Sequence, residues 1–134
     1  MIKINAALKP TDLDSKLKKF WKLSAEKIHL IERNYDDAQG SPVFTIRGNY
    51  TTRGWTEWTQ GFQYGAAILQ YDITGEKSFL EPGRKKTVEL MTPHVSHVGV
   101  HYHGLNNVST YVNLLRLMHE GKIPFIDWAK NFYA

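Results

Sequence analysis

WTQGFQYGAAILQYDITG, residues 58–75, is the stretch that decides the fold. Its apolar side chains recur at three- and four-residue steps, which predicts an amphipathic helix. These residues are Trp58, Phe62, Ala66 and Leu69. Gly61 and Gly65 share one face of this helix and let a second helix approach closely. Gly75 is the expected residue just beyond its end, since glycine adopts the left-handed conformation at little cost.

A first helix is predicted upstream, because apolar side chains recur there with the same period. They are Leu13, Leu17, Phe20, Trp21, Ser24, Ile28, Ile31 and Tyr35. Thr11 or Asp12 is placed to cap its start. Between this helix and the next, residues 36–56 carry several glycines and a proline, so we expect a long structured loop in which Val43–Ile46 either pairs as a strand or only packs.

Further helices are predicted downstream of Gly75. Leu80, Val88 and Met91 indicate a third helix, with Pro82 in its first turn or at a kink and Pro93 at its end. Asn106 or Asn107 is expected to cap a fourth helix, which ends at Gly121. Its predicted apolar stripe is Val108, Tyr111, Val112, Leu115 and Met118. Pro124 is expected to open a fifth helix, with Trp128 and Phe132 on its apolar face.

These elements predict an all-α fold of antiparallel helical hairpins, in which residues 1–134 form a single domain. The chain is 42% hydrophobic and 22% charged, which is ordinary for a globular protein. It holds no 18-residue apolar run, so no membrane-spanning role is expected. No secretory signal is visible and the chain contains no cysteine, so the compartment stays open between cytoplasm and periplasm.

The net charge of +4 comes largely from lysines in the first helical segment. These lysines are Lys16, Lys18, Lys19, Lys22 and Lys27. Acidic residues interleave with them, among them Asp14, Glu26 and Glu32, which is typical of a solvated helix face. A nucleic-acid interface would instead need a stripe of basic residues with arginines that reach the bases. No nucleic-acid partner is therefore expected, whereas an acidic saccharide is compatible with the charge.

The segment His101–Tyr111 carries the candidate site, because polar and aromatic side chains crowd there onto a turn that leads into a helix. His101 and His103 are expected to point the same way from extended backbone. Tyr102 stands between them, where a carboxylate would make an acid/base site. Imidazoles titrate near a pKa of about 6.5, so these two histidines are the groups that could replace it.

A metal site is the competing interpretation. Four histidines lie close together in the sequence, and imidazole is a common ligand of zinc and nickel. They are His94, His97, His101 and His103. However, no cysteine is present and no Asp or Glu lies between Glu89 and Glu120. We therefore predict neither a metal nor another cofactor.

Two motifs resemble the early region of unsaturated uronyl hydrolases, the glycoside hydrolase family 88 type. Trp58-Thr59-Gln60-Gly61-Phe62 precedes a helix that ends Tyr71-Asp72-Ile73-Thr74-Gly75-Glu76, and His101-Tyr102-His103-Gly104-Leu105 is similar to the family's His-Asp-x-Gly-Phe signature. The resemblance covers residues 55–122. It implies the N-terminal portion of an (α/α)6 barrel, a toroid of helical hairpins.

The resemblance also implies a reaction, the hydration of the C4–C5 double bond in an unsaturated uronic acid. In the family the signature Asp supplies the proton, and Tyr102 stands at that position with Leu105 at the position of the aromatic. An unperturbed phenol, with a pKa of about 10, shuttles protons poorly at neutral pH. The resemblance thus implies Tyr102 and His103 as the residues at the catalytic position, in a member that is inactive as written.

Ligand contacts are expected around that position. The predicted substrate-binding residues are Trp55, Trp58, His101 and Asn107. The tryptophans would stack on a sugar ring or else pack between helices, and Asn107 would bind ligand or else cap a helix. The expected partner is an acidic oligosaccharide. The alternatives are a carbohydrate-binding or protein-interaction module without catalysis, and a plain helical domain. An uncovered apolar helical face would favour a homo-oligomer.

Overall fold

The computed structural model describes residues 7–125. Its helices are α1 (Asp14–Asn34), α2 (Thr59–Thr74), α3 (Lys77–Leu90), α4 (Pro93–Ser96), α5 (Tyr102–Asn107) and α6 (Asn113–His119), and its strands are β1 (Ser41–Ile46) and β2 (Asn49–Arg53). Short 3-10 helices at Pro10–Leu13 and Asp37–Gln39 precede α1 and β1, and a π-helical segment at Val108–Val112 joins α5 to α6. The described part is mostly helical, which agrees with the predicted class.

Helix α2 is the central element, because α1, α3, β1 and the α5–α6 segment all pack against it. Its residue Ile68 is fully buried among side chains of α3, α6 and the segment after α6. These side chains are Leu80, Leu114, Leu117, Met118 and Ile123. Tyr64 of α2 packs with Met91 and Tyr111 in a second cluster. The core thus lies between α2 and the chain that follows it.

The two predicted glycines of α2 do allow a close approach, as the sequence indicated. An added Cβ at Gly61 would lie 2.4 Å from Cα of Asn106, and one at Gly65 would lie 2.5 Å from the carbonyl oxygen of Ser109. Gly75 ends α2 in the left-handed conformation, with φ of 73°. Because α2 can touch the backbone of the α5–α6 segment, the side chains at the start of both helices meet.

Helix α1 has the predicted length, but neither predicted residue caps it and few of its side chains are buried. It begins at Asp14, so Thr11 and Asp12 lie before it in the 3-10 helix, where the Asp12 carboxylate accepts from the backbone N–H of Lys9 at 2.8 Å. The five lysines of the first helical segment are exposed, as predicted. Ile28 is the one residue of α1 that is buried in the described part of the chain, and Leu17 and Phe20 are exposed.

Residues 41–53 form a β-hairpin, so the prediction of a long loop was wrong there and the alternative of a strand at Val43–Ile46 is confirmed. Ser41 pairs with Arg53 and Ile46 with Asn49, with an irregular register between Pro42 and Phe44. Arg47 and Gly48 at the turn both have positive φ, as a two-residue hairpin turn requires. The signal was weak because one short alternating run can pair or pack.

Later boundaries also differ from prediction. Pro82 lies inside α3, α3 ends at Leu90, and Pro93 opens the short helix α4 instead of ending α3. The fourth predicted helix begins at Tyr102, so neither Asn106 nor Asn107 caps it. Its buried face consists of Tyr111, Leu114, Leu117 and Met118, whereas the predicted Val108 and Val112 are exposed. Gly121 has φ of 69° as expected of a helix end, and the predicted fifth helix lies outside the described residues.

Candidate functional site

Three histidines meet where α4 and α5 reach the start of α2. His94 comes from α4, His97 directly follows α4, and His103 lies in the first turn of α5. Their rings form a hydrogen-bonded chain, with 2.8 Å between His94 Nδ1 and His103 Nδ1 and 2.7 Å between His103 Nε2 and His97 Nδ1. We call these three residues the imidazole chain. His103 is its centre, because it uses both ring nitrogens.

The partners of the imidazole chain fix its proton positions. His94 Nε2 lies 3.0 Å from Oε1 of Gln60, an acceptor, so this nitrogen carries the proton of the neutral ring. His94 Nδ1 must then accept, and His103 Nδ1 donates to it. His103 Nε2 accepts in turn from His97 Nδ1. In the neutral state all three hydrogen bonds point the same way, from the exposed His97 towards the buried Gln60. The three rings thus form one directed series of hydrogen bonds between exposed His97 and buried Gln60.

Asn106 holds the imidazole chain against α2. Its Oδ1 accepts from the backbone N–H of Gly61 at 2.8 Å. Its Nδ2 lies 3.1 Å from the carbonyl oxygen of Glu57 and 3.2 Å from His94 Nδ1. Asn106 is fully buried, and all these bonds are made in a dry environment where an unmet group would be costly. The side chain is thus a structural hub of the site.

Trp55 covers the imidazole chain from the solvent side. Its ring lies nearly parallel to that of His103, with an interplanar angle of 18° and a centroid distance of 5.9 Å. The rings of His94 and His97 meet it edge-on at 5.3 Å and 5.1 Å. Trp55 is still 41% exposed, so part of the indole remains available to a ligand.

Burial sets the charge of the imidazole chain. Burial first, and then the positive charges that His103 and His97 can carry, lower the pKa of His94 to about 4. The pKa of His103 is also lowered, first by burial and then by His97. At neutral pH these two rings are therefore uncharged bases.

The predicted site residues divide between this cluster and its surroundings. His103 is buried and Trp55 covers it, whereas His101 is exposed and contacts the ring of Tyr102 at 4.2 Å. The expectation that His101 and His103 point the same way was wrong, because the segment is helical and residues two apart diverge. Tyr102 is half-buried as the first residue of α5.

Trp58 and Asn107 lie beside the cluster. The ring of Trp58 meets that of Phe62 edge-on at 5.3 Å, and Trp58 is 42% exposed. Asn107 Nδ2 donates to the carbonyl oxygen of His94 at 3.0 Å, while its Oδ1 is buried and accepts no hydrogen bond from the described part of the chain. Asn107 therefore fixes the backbone of α4 and leaves one acceptor unused.

The arrangement is not that of a metal centre. A bound zinc ion requires several ligand nitrogens aimed at one point, about 2.0–2.1 Å away. His103 instead turns one nitrogen to His94 and the other to His97. Within residues 7–125, no group of three or more His, Asp or Glu side chains is arranged to hold a metal ion.

Gln60 and the hub role of Asn106 were not predicted from the sequence. Gln60 is the second residue of α2 and directly precedes Gly61, and Asn106 faces Gly61. The signal in the sequence that could have indicated them is Gly61. Residues at a close contact between two helices are buried, and a buried polar side chain must be hydrogen-bonded.

Comparison with protein families, curated proteins and solved structures found no match to this chain. Among the described residues, no helix is long and apolar enough to cross a membrane.

Proposed function

We propose that this chain binds unsaturated uronic acid oligosaccharides at the surface formed by Trp55 and the imidazole chain, as the front part of an unsaturated uronyl hydrolase-like (α/α)6 barrel. The observation that supports this best is the half-exposed indole of Trp55 stacked on a buried imidazole. Such a platform offers an apolar ring face beside hydrogen-bond donors and acceptors. A sugar ring presents the complement, with an apolar C–H face and polar edges.

The charge of the surroundings favours an acidic sugar. The chain has a net charge of +4, and the exposed imidazole of His97 lies against Trp55. Glu57 lies nearby in sequence, but its carboxylate is paired with Arg53 at 3.6 Å. The groups beside the platform are thus imidazoles and a carboxylate that already has a cationic partner, which is compatible with an acidic sugar.

Binding without hydrolysis is proposed because the residue types for the reaction are incomplete. Hydration of the double bond needs a carboxyl group within reach of the vinyl ether. Tyr102 stands at the signature position, and the segment between Glu89 and Glu120 holds no carboxylate. The imidazole chain supplies bases but no strong acid, since its buried rings resist protonation.

A titration with an unsaturated uronic disaccharide tests the proposal, with tryptophan fluorescence as the signal. Saturable quenching is expected for the native chain. Trp55→Ala should weaken binding about tenfold or more, equivalent to about 1.4 kcal/mol. Trp58→Ala is the matched control, because Trp58 is as exposed as Trp55 but its ring contacts Phe62; it should change affinity by less than about threefold.

Two outcomes would overturn this function. One is a folded native chain that shows no saturable response to the disaccharide. The other is a Trp55→Ala variant that binds as tightly as the native chain. Either result would favour the second candidate, a helical interaction module. The observation in favour of that candidate is the exposed apolar face of α1, which includes Leu17, Phe20 and Leu23.

A further inference from the structure

A cavity lies apart from the imidazole chain, between α1, the β-hairpin and the first turns of α2. Its volume is about 280 Å³. Aliphatic side chains form much of its wall, including Ile28, Ile31 and Ala66, and the rings of Tyr50 and Phe62 complete it. An apolar cavity of about 150 Å³ is enough to hold benzene, so this cavity has room for a molecule with one ring.

Glu32 in the cavity wall belongs to a cluster of charged side chains that carries an excess of negative charge. Glu32 lines the cavity, and its carboxylate shares the ammonium of Lys86 with Asp37, at 2.8 Å and 2.6 Å. Two carboxylates thus face one cation, which leaves one negative charge uncompensated in this cluster. All three side chains are mostly buried, so water screens that charge less than it would at the surface.

Neighbouring tyrosines respond to the same negative charge. The pKa of Tyr64 is raised, first by burial and then, after an opposing hydrogen bond from Gln60, by Asp37 and Glu32. The pKa of Tyr35 is raised by burial and then by Asp37 and Asp36. Asp37 therefore disfavours the charged form of both tyrosines, while Glu32 acts on Tyr64 and Asp36 acts on Tyr35.

Two hydrogen-bonding groups near the carboxylates are unmatched. Gln63 lines the cavity, and its Oε1 is buried and accepts no hydrogen bond from the described residues. The hydroxyl of Tyr35 is likewise buried without such a partner in the described chain. Tyr35 lines an adjoining cavity of about 410 Å³ that shares Ile31 and Tyr50 with the first. The Gln63 side chain thus belongs to the wall of the first cavity, and the Tyr35 side chain belongs to the wall of the adjoining one.

We propose that the cavity between α1, the hairpin and α2 binds a small primary ammonium compound with an apolar body the size of one ring. The ammonium group would lie beside Glu32 and offset the excess negative charge of its cluster with Asp37 and Lys86. The rings of Tyr50 and Phe62 line the cavity and would pack against the apolar body of the ligand. The face of an aromatic ring also attracts a cation. The negative charge of the cluster would repel an anion of similar size. A neutral molecule would not offset that charge. This site is independent of the proposed sugar site.

Three probes of similar size, each with one phenyl ring, test the charge requirement on the native chain: benzylammonium, benzyl alcohol and benzoate. Chemical shifts of the Ile28, Ile31 and Ala66 methyl groups report binding at the cavity itself. Benzylammonium should bind about tenfold or more tightly than benzyl alcohol, and benzoate should not bind. Added salt should weaken the binding of benzylammonium and leave that of benzyl alcohol unchanged.

A pair of variants tests whether Glu32 is responsible. Glu32→Gln should weaken benzylammonium about tenfold while it leaves benzyl alcohol within about threefold. Glu81→Gln removes the same charge from an exposed carboxylate that is paired with Arg84, and it should leave both affinities unchanged. The proposal would be overturned if benzyl alcohol bound as tightly as benzylammonium, if none of the three probes shifted the cavity methyls, or if both variants acted alike.

Discussion

Replacing Gly61 by alanine is expected to lower the free energy of unfolding by about 3 kcal/mol, which corresponds to a fall in Tm of about 10 °C for a chain of this size. The new Cβ would lie 2.4 Å from Cα and 2.8 Å from the carbonyl oxygen of Asn106. Both are backbone atoms, so relief requires α2 and α5 to move apart. That movement stretches the 2.8 Å hydrogen bond from the Gly61 N–H to Asn106 Oδ1. Thermal or denaturant unfolding measures the loss.

Gly104→Ala is the control for this prediction. Gly104 lies in α5 with nothing within 4 Å of its added Cβ, so alanine should be neutral or stabilise by up to about 1 kcal/mol through helix propensity. If both substitutions changed stability equally, the close approach of α2 and α5 would be wrong.

Acidification is expected to remove about 3 kcal/mol of stability through His94 alone. Burial and the neighbouring imidazoles lower its pKa to about 4 in the folded chain, whereas the unfolded chain titrates near about 6.5. Between about pH 6.5 and about pH 4, His94 binds a proton in the unfolded chain but stays neutral in the folded chain. The stabilisation is therefore complete above about pH 6.5 and is lost as the pH falls towards about 4. Denaturant unfolding at a series of pH values measures it.

His94→Gln isolates this contribution. Between pH values of about 6.5 and 5, above the range in which most carboxylates titrate, the slope of stability against pH should flatten in this variant. His119→Gln is the control, because His119 is exposed at the end of α6 and should keep the native slope. An unchanged slope in His94→Gln would mean that His94 is not buried as a neutral base.

The elements set by local patterning were predictable. The glycines of helix α2 mark both its close contacts and its C-terminal end. The predicted apolar face was wrong, because Trp58, Phe62 and Leu69 are exposed. The buried apolar residues of α2 are Tyr64, Ala67 and Ile68. The β-hairpin was harder, because a short run such as Val43–Ile46 carries little periodicity and its partner strand is mostly polar. Helix α1 shows that an apolar period does not guarantee burial, since Phe20 is exposed despite its place in that period.

The candidate site was predictable in its region but not in its geometry. An extended backbone at residues 101–103 would point His101 and His103 the same way. Helix α5 instead begins at Tyr102, so that His103 is buried and His101 is exposed. The bonds of His103 to His94 and His97 depend on how α4 packs on α5. Gln60 joins them only through the fold of α2, a long-range contact that residue spacing does not encode.

Histidine side-chain NMR during a titration with the unsaturated uronic disaccharide tests the central claim most directly. If the platform of Trp55 and the imidazole chain is the sugar site, the ring resonances of His97 and His103 and the Trp55 indole should shift with one saturation curve. His29, which stacks on Phe79, and His119 at the far end of α6 should stay unchanged. Equal shifts at His29 and His119, or none at His97 and His103 in the folded chain, would contradict the account.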